Sequence, residues 1–341
     1  MHIIRPVQRN DLDGLLALAQ HTTYGLTTLP RDKALLERRI RQSIRAFDTD
    51  ADEPPAGERY LMVMENTDSQ QLVGTCGVAS KVGGFDPFYL YQLQTSVHES
   101  KSLGLRKEIR TLNLIAQHDG PCEIGSLFLD PQARQPSLGR TLSLARFLLM
   151  AQLPQRFERM VVAEMRGVID ERGGSPFWDA LGRHFFDLDL PTADYLSVVN
   201  KKFIAELMPQ YPVYVPLLPK AAQAVIGQVH DHTAPALRIL EQEGFERTDC
   251  VDIFEAGPLV QCPRDEIRAV RDSQAARLQA VTDDPIDADP QVLATAAPDF
   301  RACRTPLSHD QAGGVTVPRA TAEALDLKVG DPVWCVSLRP Q

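Results

Sequence analysis

Ile124-Gly125-Ser126-Leu127-Phe128-Leu129-Asp130-Pro131-Gln132-Ala133-Arg134 runs into Gln135-Pro136-Ser137-Leu138-Gly139-Arg140 and then into an apolar helical run. The stretch reads as a buried strand, a basic turn rich in small residues, and a helix N-terminus, with the helix expected over Arg140 to Leu153. Backbone N–H groups at such a junction lack intrahelical partners, and the helix dipole adds positive potential there. That combination favours an anion, so a pyrophosphate-bearing cofactor is the first expectation. The turn from Arg134 through Ser137 and Gly139 to Arg140 supplies the candidate anchoring residues.

Bulk properties frame that reading. The 341 residues suggest two domains, and 43% hydrophobic with 24% charged residues match an ordinary globular chain. No apolar run reaches the ~18 residues of a membrane span. Met1 to Val7 breaks into charge at once and lacks a signal-peptide core, so a cytoplasmic enzyme with no membrane partner is expected. A formal net charge of −9 disfavours nucleic acid, whose binding needs a positive footprint. The six cysteines, at 76, 122, 250, 262, 303 and 335, form no Cys-x-x-Cys pair. They are expected as reduced thiols, and no metal site is indicated.

Along the chain, Ile3 to Val7 is strand-like, and Asn10 to Asp13 caps an amphipathic helix through Ala19. Asp48 to Arg59 reads as a loop; Arg59–Glu65 and Gln71–Ala79 read as paired strands. Strand-like runs follow at Tyr89–His98, Arg110–His118, Cys122–Leu129 and Met160–Met165. Ser175-Pro176 opens a further helix. Beyond Tyr195, Phe203–Met208 is expected as a strand, Lys220–Val225 and Thr233–Glu243 as helices, and Val251–Phe254 as a strand. Ala275 to Pro298, dense in Asp and Pro, reads as a mobile linker. Short strands at Val315–Pro318 and Pro332–Leu338 then flank a helix over Ala320–Leu327, capped by Gly330. The expected fold class is α/β, with mixed, mostly antiparallel sheets, flanking helices and a small β-rich C-terminal tail. Three segments are expected, at 1–195, 196–265 and 266–341, the last holding the linker and tail.

Strand, Arg/Gly turn and helix in this order resemble the coenzyme A site of the GNAT superfamily of acyl-CoA-dependent N-acyltransferases. Their turn has the form Arg/Gln-x-x-Gly-x-Gly/Ala; Arg134, Ser137 and Gly139 fall at that spacing, with Ser137 where glycine is usual. Their terminal helix carries a motif near Asn-x-x-Ala-x-x-x-Tyr-x-x-x-Gly-Phe. Thr233-x-x-Ala236-x-x-x-Leu240-x-x-x-Gly244-Phe245 repeats that spacing, and Leu181 to Phe186 echoes it loosely, so a tandem GNAT arrangement is implied.

Longer words make the chain similar to the arginine N-succinyltransferases. They are Gly25-Leu26-Thr27-Thr28-Leu29-Pro30, Ser126 to Leu129, Ala163-Glu164-Met165-Arg166-Gly167, Ser175-Pro176-Phe177-Trp178, Gly182-Arg183-His184-Phe185-Phe186, Phe203 to Pro209, Ile226-Gly227-Gln228-Val229-His230 and Asp252-Ile253-Phe254-x-x-Gly257-Pro258. The resemblance implies transfer of succinyl from succinyl-CoA to the α-amino group of L-arginine, giving N2-succinyl-L-arginine and CoA, the opening step of arginine catabolism. It puts a succinyl-CoA contact on the main chain of Leu127 and the proton donor on His230. An imidazole, with an unperturbed pKa of about 6.5, suits that role. Leu240 stands where many GNAT enzymes carry a tyrosine acid.

Substrate charge asks for more. A guanidinium prefers a bidentate carboxylate, and Glu164, Glu123 and Asp252 are candidates. Arg166 is a candidate for the succinyl carboxylate; an internal Glu164–Arg166 ion pair is the competing reading. Ornithine as acceptor, a non-catalytic partner subunit, and a DNA-binding tail are the rival functions. A homo-oligomer, or a hetero-oligomer with a homologous subunit, is expected.

Overall fold

The computed structural model describes residues 1–22 and 29–340. The part of the word Gly25–Pro30 from Gly25 to Thr28 lies outside the described residues. The first strands are β1 (His2–Pro6), β2 (Arg59–Asn66), β3 (Gln71–Ala79), β4 (Gly83–Ser100), β5 (Leu105–Asp119), β6 (Cys122–Leu129), β7 (Met160–Glu164) and β8 (Val213–Tyr214). The later ones are β9 (Glu246–Val251), β10 (Pro258–Pro263), β11 (Gln274–Thr282), β12 (Gln291–Thr295), β13 (Ala302–Thr305), β14 (Ser308–His309), β15 (Val315–Pro318) and β16 (Pro332–Ser337). They lie side by side in the order β14-β15-β11-β16-β12-β13-β1-β2-β3-β6-β7-β10-β9-β4-β5-β8. Among described residues only β6–β7 and β11–β15 pair in parallel. The observed class is thus the expected one, a mixed and mostly antiparallel sheet with flanking helices.

Helices α1 (Leu12–Gln20) and α2 (Lys33–Phe47) precede β2, and α3 (Leu138–Gln152) follows β6. Between β7 and β9 lie α4 (Pro176–Ala180), α5 (Arg183–Phe186), α6 (Leu190–Val199), α7 (Lys202–Leu207), α8 (Lys220–Val225) and α9 (Ala234–Gln242). The chain closes with α10 (Arg268–Arg271) and α11 (Arg319–Leu325). Helix α3 is buried nearly all round, Thr141, Ser143 and Arg146 included. It packs Leu142, Phe147 and Leu149 against Cys76, Ile124, Val161 and Ala163 of the sheet. Ser175 caps α4 as its sequence position suggests, accepting from the Trp178 N–H.

Several expectations are corrected. Phe203–Met208 is not a strand but helix α7, because Ile204 and Met208, one turn apart, bury together against the α4 and α8 side of the core. A short apolar run does not distinguish the two periods. The strand near Val251 ends there, since the Asp252 carboxylate accepts from the N–H groups of Phe254 and Glu255 and turns the chain. The mobile linker is largely sheet: β11 pairs with β16, and β12 lies between β13 and β16. Only the Asp/Pro-rich stretch 283–290 joins them as a loop, so composition concealed the Val292-Leu293-Ala294 core strand. Helix α11 ends at Asp326 in a left-handed conformation, not at Gly330.

Glu243, fully buried after α9, ties the C-terminal strands to this core. It accepts from Arg268 Nη2 at 2.8 Å, Arg268 Nε at 3.1 Å and the Ala269 N–H at 3.0 Å, while Arg268 also donates to the Ser337 carbonyl. Removing one partner leaves a buried guanidinium uncompensated. Glu243→Ala is therefore expected to lower the unfolding free energy by about 3–5 kcal/mol, read from the urea midpoint. A loss near zero would show that packing alone holds this junction.

Candidate active site

The strand quoted at the outset carries a bulge. Thr75 faces Phe128 and Gly77 faces Gly125, so Cys76 alone on β3 opposes both Ser126 and Leu127 on β6. Ser126 takes a left-handed φ of 53°, and Thr75 Oγ1 donates to its carbonyl at 2.8 Å. On its other side, among the described residues, β6 pairs with β7 only at Cys122–Val161 and Glu123–Val162. Beyond that point β7 continues against β10 while β6 stays on β3. The two parallel strands part, and backbone groups of β6 facing the gap are left without a strand partner. Unpaired edge groups of this kind can hydrogen-bond an extended ligand. The Leu127 side chain packs on the main core, so only its main chain serves the gap.

The turn follows. Asp130 caps Pro131–Ala133 through the Gln132 N–H and also takes a bond from His21 Nδ1 at 2.8 Å. Ser137 stands at φ 68°, which explains why glycine is usual there; a side chain in this region costs about 1–2 kcal/mol. Its hydroxyl caps nothing, so it does not occupy the first-turn N–H groups of α3. A Cβ on Gly139 would meet only Leu129, at 3.9 Å, so the space over this N-terminus is open. Arg134 is exposed beside it. Arg140 turns the other way: its guanidinium bonds Gln242 and the Leu338 carbonyl and lies 3.5 Å from Glu243. Its N–H remains at the helix start, but its side chain belongs to the junction described above.

Across the gap, Val161, Ala163 and Met165 face the α3 core, so Glu164 projects to the opposite face with Val162. The chain after β7 lies backbone-to-backbone on the loop after β9. A Cβ on Gly257 would stand 1.9 Å from the Met165 carbonyl, and one on Gly167 2.4 Å from the Glu255 carbonyl, so both positions demand glycine. Glu255, 7% exposed, accepts from the Gly167 N–H at 2.8 Å. The His230 N–H donates to the Arg166 carbonyl at 2.9 Å, which fixes the histidine to the end of the same strand.

Carboxylates crowd this end. Burial, then Glu123 and Asp252, raise the Glu164 carboxyl well above the usual range, with Lys201 opposing. The Glu164 side chain still reaches solvent, so it lies in a recess that is open but walled by protein. Glu255 is raised by burial, Asp252 and Asp194, with Arg166 opposing. Burial lifts Asp194 to about 7, reinforced by Asp252 and countered by Arg166. Asp252 is also raised by burial, although the N–H groups it caps pull it back. Burial lowers the His230 imidazole, and the positive charge of Arg166 lowers it further. Its Nδ1 accepts from the His232 N–H at 3.1 Å. Glu123 lies one strand over, where it shares a second recess with Arg39, Arg59 and the bulge residues Gly125 and Ser126.

Glu164, Arg166, Asp252 and His230 are therefore brought together, Glu123 borders them, and Leu127, Arg134, Ser137 and Gly139 line the opposite side of the gap. Sequence reasoning missed Asp194 and Glu255. Glu255 occupied an unread position inside the word Asp252 to Pro258, whereas Asp194, on α6, has no local signal. A larger cavity of about 660 Å³ lies between α1 and the β2–β3 hairpin, but its charged groups pair with one another, Arg5 with Asp11 and Glu65, and His21 with Asp130. It does not include the acidic recess. Among described residues no group of three or more His, Cys, Asp or Glu is arranged to hold a metal ion, and no helix is long and apolar enough to cross a membrane.

The family model described as arginine N-succinyltransferase beta subunit matches residues 2–269, and the model of its C-terminal domain matches residues 274–337. The chain is 42% identical over 345 residues to an arginine N-succinyltransferase of Enterobacter, covering 100% of this chain and 99% of the relative. It is 41% identical over 342 residues to one from Yersinia pseudotuberculosis, covering 98% and 97%. The solved structure of arginine/ornithine succinyltransferase subunit AI from Pseudomonas aeruginosa superposes with a TM-score of 0.89 at 34% identity, over 100% of this chain and 99% of that one. With a strand bulge, an open helix N-terminus and an acidic recess joined along one full-length match, the chain belongs to the arginine N-succinyltransferase family.

Proposed function

We propose that the gap between β6 and β7 holds succinyl-CoA and that the acidic recess holds L-arginine, so that the chain transfers succinyl to the arginine α-amino group. The enzyme is an acyltransferase of the arginine N-succinyltransferase type, and the roles below are our reading of its residues. The single observation that carries them is the parting of β6 and β7 at a bulge that leads into an open helix N-terminus.

The first-turn N–H groups of α3, with Arg134, would take the pyrophosphate. The main chain at Leu127 would donate to the thioester oxygen, where negative charge grows as the amine attacks. Both substrates carry charge that the recess matches. Glu164, Asp194 and Glu123 would face the guanidinium and the ammonium of arginine, and binding that cation offsets the burial and the carboxylate repulsion that raise Glu164 and Asp194. Asp252, whose carboxylate is spent on loop N–H groups, would act by its charge alone. Arg166 would meet the succinyl carboxylate. Holding the two substrates along one split removes most of the entropic cost of their encounter.

Proton transfer falls to His230. The α-ammonium first gives up one proton to solvent. The imidazole, neutral at pH 7 because burial and Arg166 hold its pKa below the ordinary 6.5, then takes the second proton as the amine bonds to carbon and returns it to the departing CoA thiolate. Carbon–sulfur cleavage then completes direct transfer without an acyl-enzyme. This scheme calls for no metal, and a cytoplasmic setting with an oligomeric enzyme completes the reading.

His230→Ala is expected to lower arginine-dependent thiol release by about 10²- to 10⁴-fold while the Kd for succinyl-CoA stays unchanged. In the parent enzyme kcat/KM should fall in acid with a midpoint below 6.5, a limb the variant lacks. Equal turnover in the two proteins would remove His230 from the scheme. A purified chain that releases no thiol even with arginine present would mark it as a non-catalytic partner, and preference for ornithine in direct competition would reassign the acceptor.

Asp194 gives a second test. Its folded-state pKa is raised from the ordinary 3.8 to about 7, so its protonated form favours the fold; that contribution is intact below about pH 4 and lost as pH rises toward about 7. Ligand-free Asp194→Asn should therefore unfold at higher temperature than the parent at pH 8, and at about the same temperature near pH 4, while its KM for arginine rises. An unchanged KM would place Asp194 outside the acceptor site.

A further inference from the structure

The β4–β5 hairpin extends well beyond its neighbours. The two strands pair continuously from Phe88–Gln117 to Ser100–Leu105. Among the described residues, β9 pairs with β4 only at Tyr91 and Gln92, and β8 with β5 only at Thr111 and Leu112. From the pair Thr95–Arg110 outward, six paired positions form a two-stranded ribbon about 20 Å long with no strand on either edge among the described residues. Its base is well covered, with Tyr91 and Leu112 wholly buried. The ribbon has no buried residue, and Val97, Leu103 and Leu105 are 51%, 71% and 50% exposed. An isolated two-stranded ribbon is marginal in water, and paired free edges invite another chain.

Charge says which chain. From Thr95 to Arg110 the ribbon carries Lys101, Arg106, Lys107 and Arg110 against Glu99 and Glu108, a local excess of cations in a chain of net charge −9. The remainder holds 32 basic against 43 acidic residues. Its densest exposed acidic run, at Asp48, Asp50, Asp52 and Glu53, contains no basic residue. The arm is thus complementary to the body of its own kind.

We propose that the β4–β5 arm is the contact by which two copies of this chain associate, each laying its basic, apolar-tipped ribbon on the acidic body of the other in a two-fold arrangement. Such an isologous exchange covers both arms at once and closes without further growth. Electrostatic attraction then sets much of the association, which must weaken as salt screens it.

The test is the oligomeric state of the full chain by light scattering and sedimentation across concentration and salt. A dimer is expected at micromolar subunit concentration, with its Kd rising at least about tenfold between about 0.05 and 0.5 M salt. The double variant Arg106→Glu, Lys107→Glu and, separately, Val97→Ser with Leu105→Ser should raise that Kd at least about tenfold. Both should keep the circular dichroism spectrum of the parent, since these side chains lie outside the core. A monomer at every concentration, a dimer indifferent to all four substitutions, or association only with a related second subunit would overturn the proposal.

Discussion

The arrangement depends on two parallel strands being forced apart. Parallel pairing of β6 and β7 lasts two residues, and the extra residue in β6 then turns its backbone out of the ladder while β7 follows β10. A continued ladder would satisfy every backbone group and leave no room for a ligand. The break opens a slot walled by main chain, ending at the N-terminus of a helix whose flanks are anchored in the core. Two strained residues, Ser126 and Ser137, mark its ends. Each adopts a conformation that glycine takes freely, and the surrounding packing over-determines both.

The same split separates two electrostatic environments. On the α3 side the helix terminus and Arg134 favour anions. On the β7 side carboxylates from a strand end, a loop and a helix are buried and held close together, so that several resist ionisation. Ionising them is unfavourable in the empty protein, and a bound cation such as the proposed acceptor would relieve that cost. Glycine at 167 and 257 makes the crowding possible, because a side chain at either would clash with the facing backbone and push Glu255 away from Arg166.

Legibility in the sequence followed range of interaction. The strand, turn and α3 were readable because their signals are local, and Ser137 was readable even as a departure, since its φ is the one that glycine would take. Helix α7 was misread because six residues with apolar pairs fit both periods. Strands β11 and β12 were hidden by the Asp and Pro residues between them, although their own alternation was present. Arg140 was assigned to the turn by proximity, whereas a buried Glu243 more than a hundred residues away captures its side chain. Asp194 could not be seen at all, because nothing near it in the chain announces that α6 folds over the end of β7.

Hydrogen–deuterium exchange with and without succinyl-CoA addresses the parting of the strands most directly. The account predicts slowed exchange concentrated at the amides of Ser126–Leu129 and of Leu138–Arg140, with β3, which has a strand on each edge, unchanged. Saturating succinyl-CoA that left those two segments exchanging at their free rate would contradict it.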